Sequence, residues 1–138
     1  MSDQTTQLTQ ASGEVRIEGP DLSRFLARHH VALIVIDGPH RGAEYPIRRE
    51  RTVFGRSRDA DLVFDEETLS REHGAIRYEE GRFILEDLGS ANGCRHNGRV
   101  AHNVDIQHGD TIQMGRIRMK FMCEAREPDP KTQILDAD

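Results

Sequence analysis

The chain has 138 residues, the length of one domain with short flanks, because a second fragment would be too small to bury enough apolar surface. Hydrophobic residues make up 36% and charged residues 31%, while a net charge of -5, 5% aromatic content and no Trp exclude a protein that depends on a basic, base-stacking face for nucleic acid. Any anion bound here must be captured locally, by a few placed donors.

Residues 1–13 are polar, rich in Thr and Gln, and read as a disordered tail. The opening MSDQTTQLTQ has neither a basic n-region nor an apolar h-region, and the longest apolar run, residues 31–36, falls far short of the roughly 20 residues that cross a bilayer. A cytoplasmic protein without membrane insertion is expected. Residues 14–30 read as a linker or a short helix: Pro20 and Asp21 precede SRFLARHH, and Leu22, Phe25 and Leu26 share a helical face at i, i+3 and i+4.

At Val31 the pattern changes to short β-branched and aromatic segments separated by turn signals, which is how an all-β sandwich reads; one domain is expected over residues 31–123. Strands are predicted near residues 32–37, 43–47, 51–55, 61–64, 74–79, 82–87, 111–114 and 116–123. Alternation is clearest at the last of these, where Ile117, Met119 and Phe121 face one side and Arg118 and Lys120 the other. Asp37-Gly38, Glu80-Gly81, Asn92-Gly93, Asn97-Gly98 and Gly109-Asp110 supply turns, and Asn97-Gly98 reads as a hairpin. Residues 124–138, EAREPDPKTQILDAD, are acidic and carry two prolines, and read as a second disordered tail. Cys94 and Cys123 lie far apart and outside any CxxC pair, so neither a disulfide nor a zinc framework is expected.

A sandwich says nothing about function, which must come from a site. The informative residues sit in turns: Gly55-Arg56-Ser57, Ser70-Arg71-Glu72-His73, and Asp87-Leu88-Gly89-Ser90-Ala91-Asn92-Gly93. Their order and spacing resemble the forkhead-associated (FHA) domain, whose signature is GR, then SxxH, then NG. The resemblance implies a β-sandwich of two antiparallel sheets that binds phosphothreonine peptides through loops at one end, without a cofactor or a metal.

Elementary chemistry agrees with that implication. A phosphothreonine carries about -1.5 to -2 charges and three strong acceptor oxygens, so its site needs guanidinium, hydroxyl and backbone donors on rigid loops. Arg56 and Arg71 can supply the charge, and Ser70 a hydroxyl bond. Taken alone, Arg56 reads as a solvated strand-end arginine; Gly55 before it lets the chain turn sharply, so that Arg56 faces the loop surface. By the resemblance, Ser70 and Arg71 touch the phosphate, His73 supports its loop through internal hydrogen bonds, and the Asn92 amide bonds the peptide backbone beside the phosphothreonine. Asn92-Gly93 is also a common tight turn, with Gly93 in a supporting role. The family usually has Thr or Ser immediately before that Asn. This chain has Ala91 there, and Ser90, one residue earlier, is a candidate to compensate. Arg95 and His96 are candidates for reading the residues after the phosphothreonine.

Other classes find less support. There is no Walker loop, GxSxG elbow or HExxH pair, so no enzyme is expected. The seven histidines lack the compact spacing of a zinc site. An FHA-shaped scaffold for phosphorylation-independent contacts is the alternative, against which the retained Arg56, Ser70 and Arg71 weigh. The expected partners are threonine-phosphorylated proteins, with a Ser/Thr kinase upstream. Thr6, Thr9 and Thr132, each followed by Gln, are candidate phosphorylation sites through which the chain would bind its own tail.

Overall fold

The computed structural model describes residues 20–126. One helix, α1 (Pro20–Arg28), precedes eleven strands: β1 (His29–Asp37), β2 (Glu44–Pro46), β3 (Arg51–Gly55), β4 (Leu62–Val63), β5 (Gly74–Glu79), β6 (Arg82–Asp87), β7 (Cys94–His96), β8 (Arg99–Ala101), β9 (Asn103–Ile106), β10 (Thr111–Met114) and β11 (Ile117–Ala125). They form a six-stranded sheet in the order β2-β1-β11-β10-β7-β8 and a five-stranded sheet in the order β4-β3-β5-β6-β9. No helix among the described residues is long and apolar enough to cross a membrane.

Alternation builds the core from both sheets. In β11, Ile117, Met119 and Phe121 are buried while Arg118 is exposed, and in β1 Val31, Leu33 and Val35 are buried toward the same cluster. From the facing sheet come Phe54, Ile76, Tyr78, Phe83 and Leu85. Strands of 2 to 9 residues thus close a two-layer sandwich, with no long helix among the described residues.

The structure departs from the sequence reading in three places. Residues 94–106 hold three strands that the sequence did not announce. They are short, but the turn between β7 and β8 is the hairpin expected at Asn97-Gly98, both residues at positive φ (51° and 86°). The pairing is also not purely antiparallel. After Gly55 the chain turns back (Ala60 N–H to Ser57 O, 3.1 Å), the Asp61 carboxylate accepts from Val53 N–H, and β4 runs parallel beside β3 as Phe64 enters the core. Finally, the first and last strands pair as far as His29 with Ala125 and His30 with Glu124, so the sheet reaches beyond residues 31–123 at both ends.

Helix α1 lies across one end of the sandwich. Leu22 is fully buried, Phe25 and Leu26 pack against the core, and the Phe25 ring contacts His29, Tyr78 and Phe83 at centroid distances of 4.0, 5.4 and 5.5 Å. Asp21 in the first turn and Arg28 in the last oppose the helix dipole favourably. The Tyr78 hydroxyl donates to Asp21 at 2.5 Å, and burial together with that carboxylate pushes the phenol up to about 12.

Candidate functional site

At the opposite end three loops are laced together by their own polar groups. The first two run side by side: Arg56 N–H donates to Ser70 O and Ser57 N–H to Arg71 O, both at 3.0 Å. Gly55 permits this approach, because a Cβ there would lie 2.2 Å from the Arg71 carbonyl oxygen. Its role is therefore close backbone contact; the sharp, glycine-specific turn expected from the sequence is not what it makes, since its φ lies outside the left-handed region. The Arg56 Nε donates to Leu69 O at 3.1 Å, which fixes the root of an exposed guanidinium. Neither Arg56 nor Arg71 forms an ion pair with any acid among the described residues.

His73 joins the second loop to the third from inside. It is fully buried, its Nδ1 accepts from Ser70 N–H at 3.0 Å, and its Nε2 lies 2.7 Å from Gly93 O. An amide can only donate and a carbonyl only accept, so the proton resides on Nε2 and the ring is neutral. Both nitrogens are used, as a support role requires, and none is left for a ligand.

The third loop hangs on Asp87, which the sequence reading quoted without a role. Its carboxylate accepts from the Ser90 hydroxyl, from Gly89 N–H (3.1 Å) and from Ser90 N–H (3.3 Å). Burial pushes the Asp87 carboxyl up, but the bonds from Ser90, Cys94 and Gly89 together outweigh it and hold it below the usual carboxylate range. Ser90 Oγ also accepts from Gly93 N–H at 2.9 Å. Ser90 thus braces the loop from inside, its hydroxyl proton donated to Asp87.

Ser70 differs. Its Oγ accepts from Ala91 N–H at 2.9 Å, which orients the hydroxyl and leaves its proton to donate outward. The contact at position 91 is made by the backbone, so Ala91 costs it nothing. Asn92 is exposed, and its Nδ2 donates to Thr68 O at 2.7 Å, leaving Oδ1 as an outward acceptor.

Thr68 is the residue that sequence reasoning missed. Besides taking the Asn92 bond, its N–H (3.0 Å) and Oγ1 (2.8 Å) donate to the buried Glu66, and its Oγ1 accepts from Arg116 N–H (3.0 Å). The Thr68 bonds hold the Glu66 carboxyl below its ordinary range. A Glu two residues before a Thr, ahead of Ser70, is the local signal that could have found it. Thr68, Asn92, Gly93, Arg95, Gln113 and Gly115 line a groove of about 290 Å³ beside the loops. Arg95 faces it; His96, the next residue along the strand, turns the other way and pairs with Asp110 at 2.7 Å.

His73, Asp87 and Cys94 lie close enough to resemble a ligand cluster. Both His73 nitrogens are bonded to backbone groups of the loops, and burial pushes the Cys94 thiol up to about 12. The candidate phosphorylation sites Thr6, Thr9 and Thr132 lie outside the described residues, as do residues 1–13 and 127–138 of the expected tails; Glu124 and Ala125 belong to β11.

Residues 52–115 match the family model of the FHA domain. A protein called oxoglutarate dehydrogenase inhibitor, from Corynebacterium efficiens, is 37% identical over 91 residues, 66% of this chain and 64% of that one. The chain therefore spans less than two thirds of this relative. Among solved structures, the FhaA FHA domain complexed with the intracellular domain of another protein is 30% identical, with a TM-score of 0.61 over 66% of this chain and 98% of that one. A structure from a study of phosphothreonine-dependent FHA domain interactions is 28% identical, with a TM-score of 0.63 over 72% of this chain and 99% of that one.

Proposed function

The chain belongs to the forkhead-associated family, and from that premise we propose that it is a phosphothreonine-peptide-binding adaptor in Ser/Thr kinase signalling. The observation that carries this reading is that Arg56 and Arg71, both exposed and without an acidic partner among the described residues, and the oriented Ser70 hydroxyl sit on loops bonded to each other through their backbones. Such a site is short of one thing, a multivalent anion with strong acceptors. Asn92 Oδ1 stands beside it to accept from an extended peptide backbone, and Arg95 in the adjoining groove reads the residues that follow. The relatives' names and the neighbouring FHA structures support binding and regulation rather than catalysis.

A Ser/Thr kinase acts upstream of such an adaptor, and the chain's own Thr132, Thr9 or Thr6, once phosphorylated, competes for the same loops from a high effective concentration. Calorimetric titration with matched phosphorylated and plain threonine peptides tests the reading. Binding of the phosphorylated peptide alone, weakened at least about tenfold by Arg56→Ala and by Ser70→Ala, is expected. Equal binding of both peptides means a phosphorylation-independent scaffold instead.

A further inference from the structure

Far from the loops, a groove of about 390 Å³ runs between α1 and the β1–β2 edge. Buried Val31 and Ile47 and half-buried Leu26 give it an apolar base, and exposed Pro46, Arg48 and Arg126 stand around it. The arginines on the outer face of the five-stranded sheet, Arg51, Arg77 and Arg82, are all paired with acids. Arg48 and Arg126 have no acidic partner among the described residues: Arg126 bonds only backbone, through Nε to Leu26 O (3.0 Å) and N–H to Arg28 O (2.8 Å). His30, which also lines the groove, pairs with Glu44 at 2.8 Å. An apolar trough ringed by unmatched cations, on a protein of net charge -5, fits an acidic segment that also carries aliphatic side chains.

We propose that the chain's own residues 133–138, Gln133-Ile134-Leu135-Asp136-Ala137-Asp138, occupy this groove, with Ile134 and Leu135 on the apolar base and Asp136 and Asp138 against Arg48 and Arg126. The charges match: residues 127–138 carry Glu127, Asp129, Asp136 and Asp138 against the single Lys131. Distance matches as well, because Arg126 itself lines the groove and residues 127–133 reach about 20 Å, enough to turn back onto it. Tethering raises the effective concentration to roughly millimolar, so a weak contact suffices. The seat lies at the His29 end of β1, a strand about 30 Å long, whose Asp37 end adjoins the turn at Arg116 beside the loops. A seated segment therefore holds Thr132 away from Arg56 and Ser70.

The test compares amide NMR spectra of the full chain with those of an Ile134→Ser, Leu135→Ser double variant and of Arg48→Glu. Both variants are expected to move the Leu26, Val31 and Ile47 signals, with the shifts independent of protein concentration, and to leave phosphopeptide affinity at the loops within about twofold. Spectra that superimpose at those three residues overturn the proposal. Shifts that vanish on tenfold dilution overturn it too, by making the occupant a second copy.

Discussion

At the helix end of the sandwich, Leu22, Phe25 and Leu26 lay an apolar stripe across the gap between the sheets, whereas at the loop end the same gap is bridged by His73, Asp87, Glu66 and Thr68. The first closure works by burial and needs no particular geometry beyond fit. The second works by donors and acceptors at fixed distances, and it leaves arginines outside. An end that must receive a charged, solvated ligand cannot be plugged with aliphatic side chains, so its rigidity has to come from hydrogen bonds that face inward.

The sharpest way to break that contrast is Leu22→Ala. Removing a fully buried side chain from the helix end should lower stability by about 3 kcal/mol in urea unfolding while leaving the phosphopeptide affinity of the folded protein unchanged. A loss below about 1 kcal/mol would show that α1 is not a seal. Next in size is His73→Ala at the loop end. It strands the Ser70 amide and the Gly93 carbonyl, and should cost about 2 kcal/mol in the same assay. Unlike the helix mutation, it should also weaken the phosphopeptide at least about tenfold by calorimetry, because it uncouples two of the three loops. If affinity survives, the bracing is structural only.

The smallest effect separates the ends by pH. Asp87 and Glu66 both sit below their ordinary values of 3.8 and 4.5 in the folded chain. A depressed carboxyl contributes its stability fully above the unfolded value and loses it as pH falls through the lower folded value. Between about pH 5 and pH 3, therefore, the protection of the Gly89, Ser90 and Thr68 amides, the donors to these carboxylates, relative to unstructured amides at the same pH should fall before that of Leu33 or Phe121 in the central strands. A uniform loss of protection across both sheets would mean that the loops have no acid-sensitive anchor of their own.

Legibility in the sequence followed the same divide. Long alternating strands such as β11 and the turn motifs carrying Arg56, Ser70 and Asn92 can be read because period-two burial and glycine-marked turns are local signals. The parallel step from β3 to β4 is not local: it depends on Asp61 reaching Val53 N–H and on Phe64 finding the core. Of β7 to β9 only the Asn97-Gly98 turn could be read, since short strands that carry polar residues such as Arg95, Arg99 and Asp105 give little apolar signal. Within the site, the internal bonds of Ser90 and the part played by Thr68 were not legible, for one reason. A hydroxyl's direction is set by which acid stands within reach, Asp87 for one and Glu66 for the other, and spacing alone does not say whether a side chain points to a ligand or to its own loop.

The ladder between β1 and β11 joins residues nearly the whole described chain apart, from His29 with Ala125 to Asp37 with Arg118. During synthesis, then, the two sheets cannot mature together. Every strand of the five-stranded sheet has been made once Ile106 emerges, but β1, which comes first, waits for the last strand of all before its long edge is covered. Until then β1 presents the six-residue apolar run 31–36 with one side of its backbone unpaired, held only by the three-residue β2. The nascent chain is thus most prone to mispairing in the interval before residue 125, and a variant that slows β11 should reveal itself as aggregation rather than as weaker binding.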